Sequence, residues 1–490
     1  MQLIWFKQDL RIQDHSALWH ATQAGPTLAV VFLSPEQWRL HDDATIKIDF
    51  YLRQLAELKQ QLHQLNIPLV VQTTALWAEI PNSLLQLCQT FNIEQVHSHI
   101  EAGVNELQRD QDCEALLNQH HINFVQYTDR TLFPFTTIRN QSGTPYQVFG
   151  AFKKQCYERL SIALPTCYAA PEKQNAIQHA ELKNAQTTIP TLAELYPYKT
   201  HDKLDHPLNI QHDSSDWAVG EAHAQQLLDE FIEDRLSHYK TERDLPQVHG
   251  TSQLSAYLNI GILSIRQCLH ALFREQQGHF HIVHEGQNTW LDELLWREFY
   301  QHILYDFPQV SKHLPFKAKT QNIPWHDNED DLDAWRFGQT GIPIVDAGIR
   351  QMLATGWMHN RVRMVVAMFL SKNLLIDWRL GEQWFMQHLI DGDLAANNGG
   401  WQWCASTGTD AVPYFRIFNP VSQSQKFDPN GDYIRKWVPE LAHLDAKYIH
   451  EPYAKQKSAQ DLFDTLNYPK PLVDLKDSRV RAIECFKQHL

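Results

Sequence analysis

The chain lacks an apolar run of membrane-spanning length, a CxxC pair, an HExxH and a GxGxxG after its first apolar segment. Without about twenty consecutive apolar residues, no segment is expected to cross a bilayer. Its seven cysteines, at 88, 113, 156, 167, 268, 404 and 485, are odd in number and scattered. That argues against a disulfide framework and against a zinc site. The 27 histidines show no metal-ligand spacing, and His120-His121 reads as a solvated pair, so no metal is expected. The missing glycine fingerprint excludes the usual dinucleotide-binding turn. The N-terminal letters MQLIWFKQDLRIQD place charge directly after a short apolar run, unlike a secretory signal, and a cytoplasmic protein is expected. Basic excess is lacking too. A net charge of -14 counts against a protein that coats itself with nucleic acid, yet a local basic groove on an acidic body is compatible with phosphate contact.

What is present is ordinary globular material, 43% hydrophobic and 20% charged over 490 residues, enough for roughly two or three domain-sized units. Residues 2–6 and 28–33 read as short buried strands. Asp49–Leu65 carries a helical stripe of Phe50, Leu52, Leu55, Leu58, Leu62 and Leu65. Strand-like 68–72, helical 84–91 and strand-like 95–99 follow. That alternation predicts a parallel sheet covered by helices on both faces, over 1–130. Residues 131–212 are rich in proline and polar clusters and read as a connector, interrupted by a short basic helix at 149–160. From 213 to 490 the spacing is helical, without internal repeat.

Three constellations and one stretch carry chemistry. In TWLDELLWREFYQHIL, at 289–304, helical spacing puts Glu293, Trp296 and Tyr300 on one face, a carboxylate beside an indole. An amphipathic helix with a buried tryptophan explains the same letters. In TGWMHNRVRMVVAMF, Trp357, Asn360 and Met364 share a face at i, i+3, i+7, flanked by Arg361 and Arg363. Core packing with solvated arginines is the alternative. In TERDLPQVHGTSQLSAYL, Gly250, Thr251, Ser252 and Ser255 offer hydroxyls and N–H groups at a helix start, either an anion site or a plain cap. The stretch Asp391–Asp410, DGDLAANNGGWQWCASTGTD, is poor material for a core helix by propensity. It reads as a surface for a large flat polar ligand, with small residues for close approach, amides for hydrogen bonds and indoles for stacking. A glycine- and asparagine-rich loop anchored by two core tryptophans is the other reading.

These motifs occur together and in order, with IWFKQDLRIQD, ELLWREFYQH, GIPIVDAGIRQMLATGWMHNRVRM, LLIDWRLGEQWF and PYFRIFNPVSQSQKFD. The set strongly resembles the photolyase/cryptochrome family, and within it the class I enzymes that repair cyclobutane pyrimidine dimers. The resemblance spans essentially the whole chain and is densest from 239 to 437.

It implies an α/β antenna domain, a connector and a helical domain that holds FAD. Tyr239, Thr251, Ser252, Leu254 and Ser255 would contact the adenine and phosphate side, and Trp290 and Arg363 would border the cofactor. Asp391 and Asp393 would hold the flavin and ribityl region, and Asn397 would sit opposite the flavin N5. Gln253 stands where the family motif has a basic residue. The damaged dinucleotide of UV-damaged DNA would be flipped out of the duplex. Trp296 and Trp403 would flank it, Glu293 would bond its bases, and Asn360 and Met364 would complete the wall. Arg243, Arg361 and Gln423 would contact flanking DNA, with Lys153, Lys154 and Lys426 as further phosphate partners. Trp401, Trp378 and Trp325 correspond to the family's electron-hopping chain. His41, Asn105, Glu106 and Lys312 match positions used for a methenyltetrahydrofolate antenna, with a deazaflavin, a second flavin or no antenna as alternatives. A signalling cryptochrome and a (6-4) photolyase are the competing readings. Met364 and a short tail after Tyr468 count against them, and a monomer is expected.

Overall fold

The computed structural model describes residues 1–185, 187–196, 213–453 and 466–489; the part of the connector at 186 and 197–212 lies outside the described residues. The described chain forms two compact units. The first comprises the N-terminal residues with Asp213–Ser237 and Ser252–Ser311, and the second comprises His238–Thr251 and the chain from Lys312 onward. Sequence spacing instead places one boundary near residue 130 and assigns everything from 213 to a single helical domain. The difference arises because helices at 221–230, 265–272 and 285–306 share buried contacts with the α/β chain.

In the first unit, β1 (Gln2–Phe6), β2 (Thr27–Leu33), β3 (Leu69–Thr73), β4 (Gln95–His99) and β5 (Asn123–Tyr127) form one sheet in the order β3-β2-β1-β4-β5. All four pairings are parallel. β1 and β2 are buried along their whole length, as strands covered on both faces must be. The spacing anticipates β1 to β4 within a residue or two. β5, whose letters NFVQY carry neither a continuous apolar run nor a strict alternation, is an addition. Helices α1 (Ser16–Ala24), α2 (Pro35–Leu40), α3 (Thr45–Gln64), α4 (Ile80–Thr90) and α5 (Val104–Gln119) connect the strands. The chain reverses its winding between β1 and β4, which is where an open α/β sheet leaves a crevice outside its strand ends.

Charge is buried next to that reversal. Arg11 bonds Asp129, and Arg266 bonds both Asp14 (2.9 Å) and Asp129 (2.8 Å). Burial would raise the Asp129 carboxyl, but Arg11, His99 and Arg266 hold it well below the usual range. Asp9, His15 and His99 bring ligand atoms within 4.8 Å of one another. Backbone N–H groups fix the tautomers there. Leu18 N–H donates to His15 Nδ1 and Ala17 N–H donates to His99 Nε2, so the free protons sit on His15 Nε2 and His99 Nδ1. Both face Asp9 Oδ2: His99 Nδ1–H bonds it at 2.6 Å, while His15 Nε2 stands 3.3 Å away without a hydrogen bond. Burial, with His99 alongside, pushes His15 down to about 4.

The second unit is helical, with helices at Pro343–Thr355, Asn360–Met368, Trp378–His388, Leu394–Ala405, Pro420–Phe427 and Leu475–His489. The long apolar run from 343 is two helices rather than one. Gly356 takes the left-handed conformation at φ 69° and ends the first, and the His359 side chain caps the second by accepting from Arg361 N–H. Trp357 therefore precedes the helix of Asn360 and Met364 and does not share their face. Among the described residues, no helix is long and apolar enough to cross a membrane.

Candidate functional site

The stretch Asp391–Asp410 is a helix over most of its length, Leu394–Ala405, against its propensity. Three local devices carry it. The Asp393 side chain caps the first turn by accepting from Ala396 N–H at 2.9 Å. Ser406 turns left-handed at φ 67°, and the buried Lys372 amine, which burial holds well below the usual lysine pKa, donates to Ala405 O and Ser406 Oγ at the helix end. Between the ends, Asn398 Nδ2 donates to Glu382 Oε1 (2.9 Å) and Gln402 Nε2 donates to Asn398 Oδ1 (2.8 Å). The amides that reduce helix propensity are the groups that dock this helix through buried hydrogen bonds.

The helix forms one wall of an open cavity in the second unit. Asn360, Met364, Arg363, Asp391, Asp393 and Asn397 all line it, with Trp401 and Cys404. Arg363 Nη2 bonds both Asp391 oxygens, at 3.0 and 2.9 Å, and its Nε donates to Met358 O. Asn397 donates through Nδ2 to Glu382 O at 3.0 Å, which fixes the amide and leaves Oδ1 as the acceptor toward a ligand. A Cβ at Gly400 would meet nothing within 4 Å, so backbone is bare where the cavity opens. A fixed amide acceptor, an ion pair, an indole and bare backbone on one cavity suit the polar edge and flat face of a flavin. Tyr239 and Thr251 belong to this unit, and Tyr239 is buried with the Arg243 guanidinium 5.5 Å from its ring.

Beside the cavity lies a basic surface. Arg361 bonds Asp244 Oδ1 at 2.9 Å and lies 4.5 Å from the Phe427 ring, while the Lys426 ammonium is 4.9 Å from that ring. Gln423 is on the same helix as Phe427, one turn earlier. Burial first, then Arg363, Arg361 and Arg243 against the opposing Asp244, push His359 down to about 4. Trp403 is partly exposed, two positions after the buried Trp401.

The remaining expected lesion and cofactor residues belong to the first unit. Glu293 and Trp296 lie on the Glu285–Asp306 helix with Trp290, which is buried against Phe231 with ring centroids 5.0 Å apart. Trp296 stacks on Phe149 at 3.7 Å and 12°, so one face of that indole is already covered. Phe149 opens the helix α6 (Phe149–Ile162), whose Lys153 pairs with Asp292 at 3.0 Å and so serves helix docking. Lys154 follows it on the same helix. Ser252 and Leu254 precede a helix of only five residues, Ser255–Asn259, and Gln253 is left-handed at φ 55°.

The three tryptophans of the expected chain all lie in the second unit. Trp378 opens the Trp378–His388 helix, and Gly381, one turn on, makes room for Trp401: a Cβ there would stand 2.1 Å from Trp401 Cη2. Trp325 packs edge-on against Phe486 at 5.9 Å, and its neighbour His326 bridges to Ile376, two residues before Trp378.

The expected antenna residues divide. Lys312 belongs to the second unit. In the first, His41 Nε2 accepts from Asn105 Nδ2 and Gln37 Nε2, both at 3.0 Å, and burial lowers its pKa. Trp77 meets His41 edge-on at 4.7 Å and lies 4.5 Å from the Arg109 guanidinium. Lost hydration and the nearby Glu101 carboxylate push Glu106 up to about 7. Trp77 and Arg109 also line a small cleft at the carboxyl ends of β1 and β2, with Trp5, Phe6, Phe32, Trp38 and Tyr51.

Sequence reasoning passed over Glu382, Gly381, Phe149 and the Trp5–Tyr51 cavity. Only the buried-polar content of DGDLAANNGGWQW hints at the first. The others depend on which segments the fold brings together.

The family comparisons agree with this geometry. Residues 290–488 match the FAD binding domain of DNA photolyase and residues 2–172 match DNA photolyase. The chain is 42% identical over 489 residues to the deoxyribodipyrimidine photo-lyase of Vibrio cholerae, covering 99% of both. It is similar in structure to a class III photolyase from Agrobacterium tumefaciens (TM-score 0.80, 32% identity, 99% of this chain and 97% of that one). It is also similar to an archaeal photolyase from Sulfolobus tokodaii that holds two FAD molecules (TM-score 0.79, 26% identity, 100% of both). Two matched family models and full-length similarity lead to one statement: this chain belongs to the DNA photolyase family.

Proposed function

We propose that this chain is a light-dependent deoxyribodipyrimidine photo-lyase that splits cyclobutane pyrimidine dimers in UV-damaged DNA. The observation that supports it most is the single cavity on which Asn397, the Arg363–Asp391 pair, Met364 and Trp401 meet. FAD, when bound and reduced, supplies the light-driven electron. Asn397 would offer its Oδ1 to a reduced flavin edge, and Asp391 and Asp393 would hold the polar chain beside it. Glu293 bonds the lesion bases, most effectively as the protonated carboxyl, and stabilises the charge the lesion gains. Trp296 offers the face that Phe149 leaves open, while Asn360, Met364 and Trp403 present amide, thioether and indole. Arg243, Arg361, Gln423 and Lys426 receive flanking phosphates. The decisive experiment is blue-light repair of an oligonucleotide carrying one thymine dimer by the reduced holoprotein. Restored duplex is expected, and failure with reduced flavin present overturns the reading.

Trp401, Trp378 and Trp325 form the route by which oxidised flavin is photoreduced. Trp401→Phe is expected to slow photoreduction at least ten-fold while repair by chemically reduced protein is kept. A folate antenna at His41, Asn105 and Glu106 of the first unit is our reading for the second chromophore. A flavin in the Trp5–Tyr51 cavity is the specific alternative, favoured by that cavity's six aromatic rings. Acid extraction of the purified protein separates them, by a pterin or a doubled flavin content.

A further inference from the structure

We propose that Trp335 is a second electron donor to Trp401, so that a positive hole leaving Trp401 divides between Trp335 and Trp378. This rests on the assignment, proposed above, of Trp401 as the residue that gives an electron to the flavin. Among the described residues, the rings in contact with Trp401 are those of Trp335, at 5.9 Å and 71°, and Phe385, at 4.9 Å and 77°. Trp335 and Phe385 are themselves stacked at 6.2 Å and 12°. Electronic coupling falls steeply with separation, so a tryptophan in ring contact competes with any other donor.

Local electrostatics favour a hole on Trp335. Its Nε1–H donates to the Val366 carbonyl at 3.2 Å, whereas the buried Trp401 Nε1 has no partner. An indole radical cation is a far stronger N–H donor than the neutral ring, so the carbonyl stabilises it as a charge-assisted bond. Trp335 lies in the last turn of the Glu329–Arg336 helix, at its negative pole. That helix carries Glu329, Asp330, Asp331 and Asp333 against one cation, Arg336. Trp378 opens its helix, at the positive pole, and the Arg379 guanidinium 5.0 Å from its ring is paired with the Asp377 carboxylate at 2.9 Å, so its surroundings are nearly balanced in charge. Burial does not separate the two, since Trp335 is 0% and Trp378 1% exposed.

The step balances as one electron. Trp401, having lost an electron to the flavin, regains one from Trp335, which becomes the radical cation with its proton retained on Nε1 against Val366 O. Trp335 is out of reach of an external thiol reductant. A hole there returns to the flavin pair by recombination, whereas a hole passed on by Trp378 can reach the partly exposed Trp325.

The test is transient absorption of full-length protein carrying oxidised FAD, with the decay of the tryptophan radical as readout. Trp378→Phe is expected to keep a radical pair at least ten-fold longer-lived than Trp378→Phe/Trp335→Phe. Equal lifetimes overturn the proposal. Asp330→Asn/Asp331→Asn in the Trp378→Phe background leaves the core packing alone and decides the matter should the double tryptophan variant lose FAD. A shortened lifetime supports Trp335, and an unchanged one overturns it. Trp401→Phe is the control: a radical pair formed as in the wild type overturns the assignment of Trp401 itself, a different failure.

Discussion

Glu106 shows how a single side chain reports on its surroundings. Its carboxyl folds back over the start of α5, with Oε2 only 2.0 Å from where a Cβ at Gly103 would stand. A folded-state pKa of about 7 against an ordinary 4.5 means the unfolded chain binds fewer protons between those values. Stability therefore falls as pH rises from 4.5 to 7, by about 3 kcal/mol at most. Glu106→Gln should match the wild type below pH 5 and become the more stable of the two above pH 7. Parallel melting curves from pH 5 to 8 check this, and a constant offset would remove Glu106 from the account. The sequence identifies Glu106 only by resemblance, because nothing in VNELQRD reveals that Glu101 ends up beside it. Asn397 and Asp391 were more legible, since paired amides and carboxylates among glycines already speak of a ligand. Trp335 was not, because ring contact with Trp401 joins residues 66 positions apart.

At the level of elements, the helices with apolar stripes and the strands with continuous apolar letters could be read directly. α3 and β4 fall almost where the spacing puts them. The Leu394–Ala405 helix could not, because its stability comes from tertiary hydrogen bonds and caps rather than propensity. Trp357 was misplaced for a related reason, since the apolar period continues across Gly356 although the helix does not. The contact between the Trp378 and Trp401 helices depends on one absent side chain. Gly381→Ala would bring a Cβ within 2.1 Å of Trp401 Cη2 and 2.7 Å of Leu370 Cδ2. A cost of about 1–3 kcal/mol is expected. Photoreduction should slow along with the loss of stability, as measured by urea unfolding and flash photolysis on the same sample. A neutral substitution would mean the two helices can part without consequence.

For the molecule as a whole, the response to acid follows from imidazoles kept neutral by burial. His15, His97 and His359 are each held at about 4. Unfolded histidines take up protons near pH 6.5, so between 6.5 and 4 the unfolded chain binds more and stability falls with falling pH. Burial also lowers His20, His41 and His450, while Glu106 and Asp428, raised to about 7 and about 6, and the raised Glu221, Asp306 and Asp346 pull the other way, five carboxyls against six imidazoles among the described residues. The urea midpoint should be lower at pH 4.5 than at pH 7, and a rising midpoint would show that the carboxyls dominate. Fold class was legible from the full-length pattern. The boundaries between compact units were not, because sequence adjacency does not reveal which side of a fold a helix joins.

The buried pairs of Arg266 with Asp14 and Asp129 also set a timetable. During synthesis Asp129 emerges 137 residues before Arg266, a delay of roughly 10–30 s at typical elongation rates. Throughout that interval the nascent α/β chain holds two carboxylates without a guanidinium they need once buried. It should therefore remain open on the ribosome until the 265–272 helix has been made. A chain released at residue 196 should be digested by protease far faster than the full-length protein, and equal resistance would show that the sheet closes unaided.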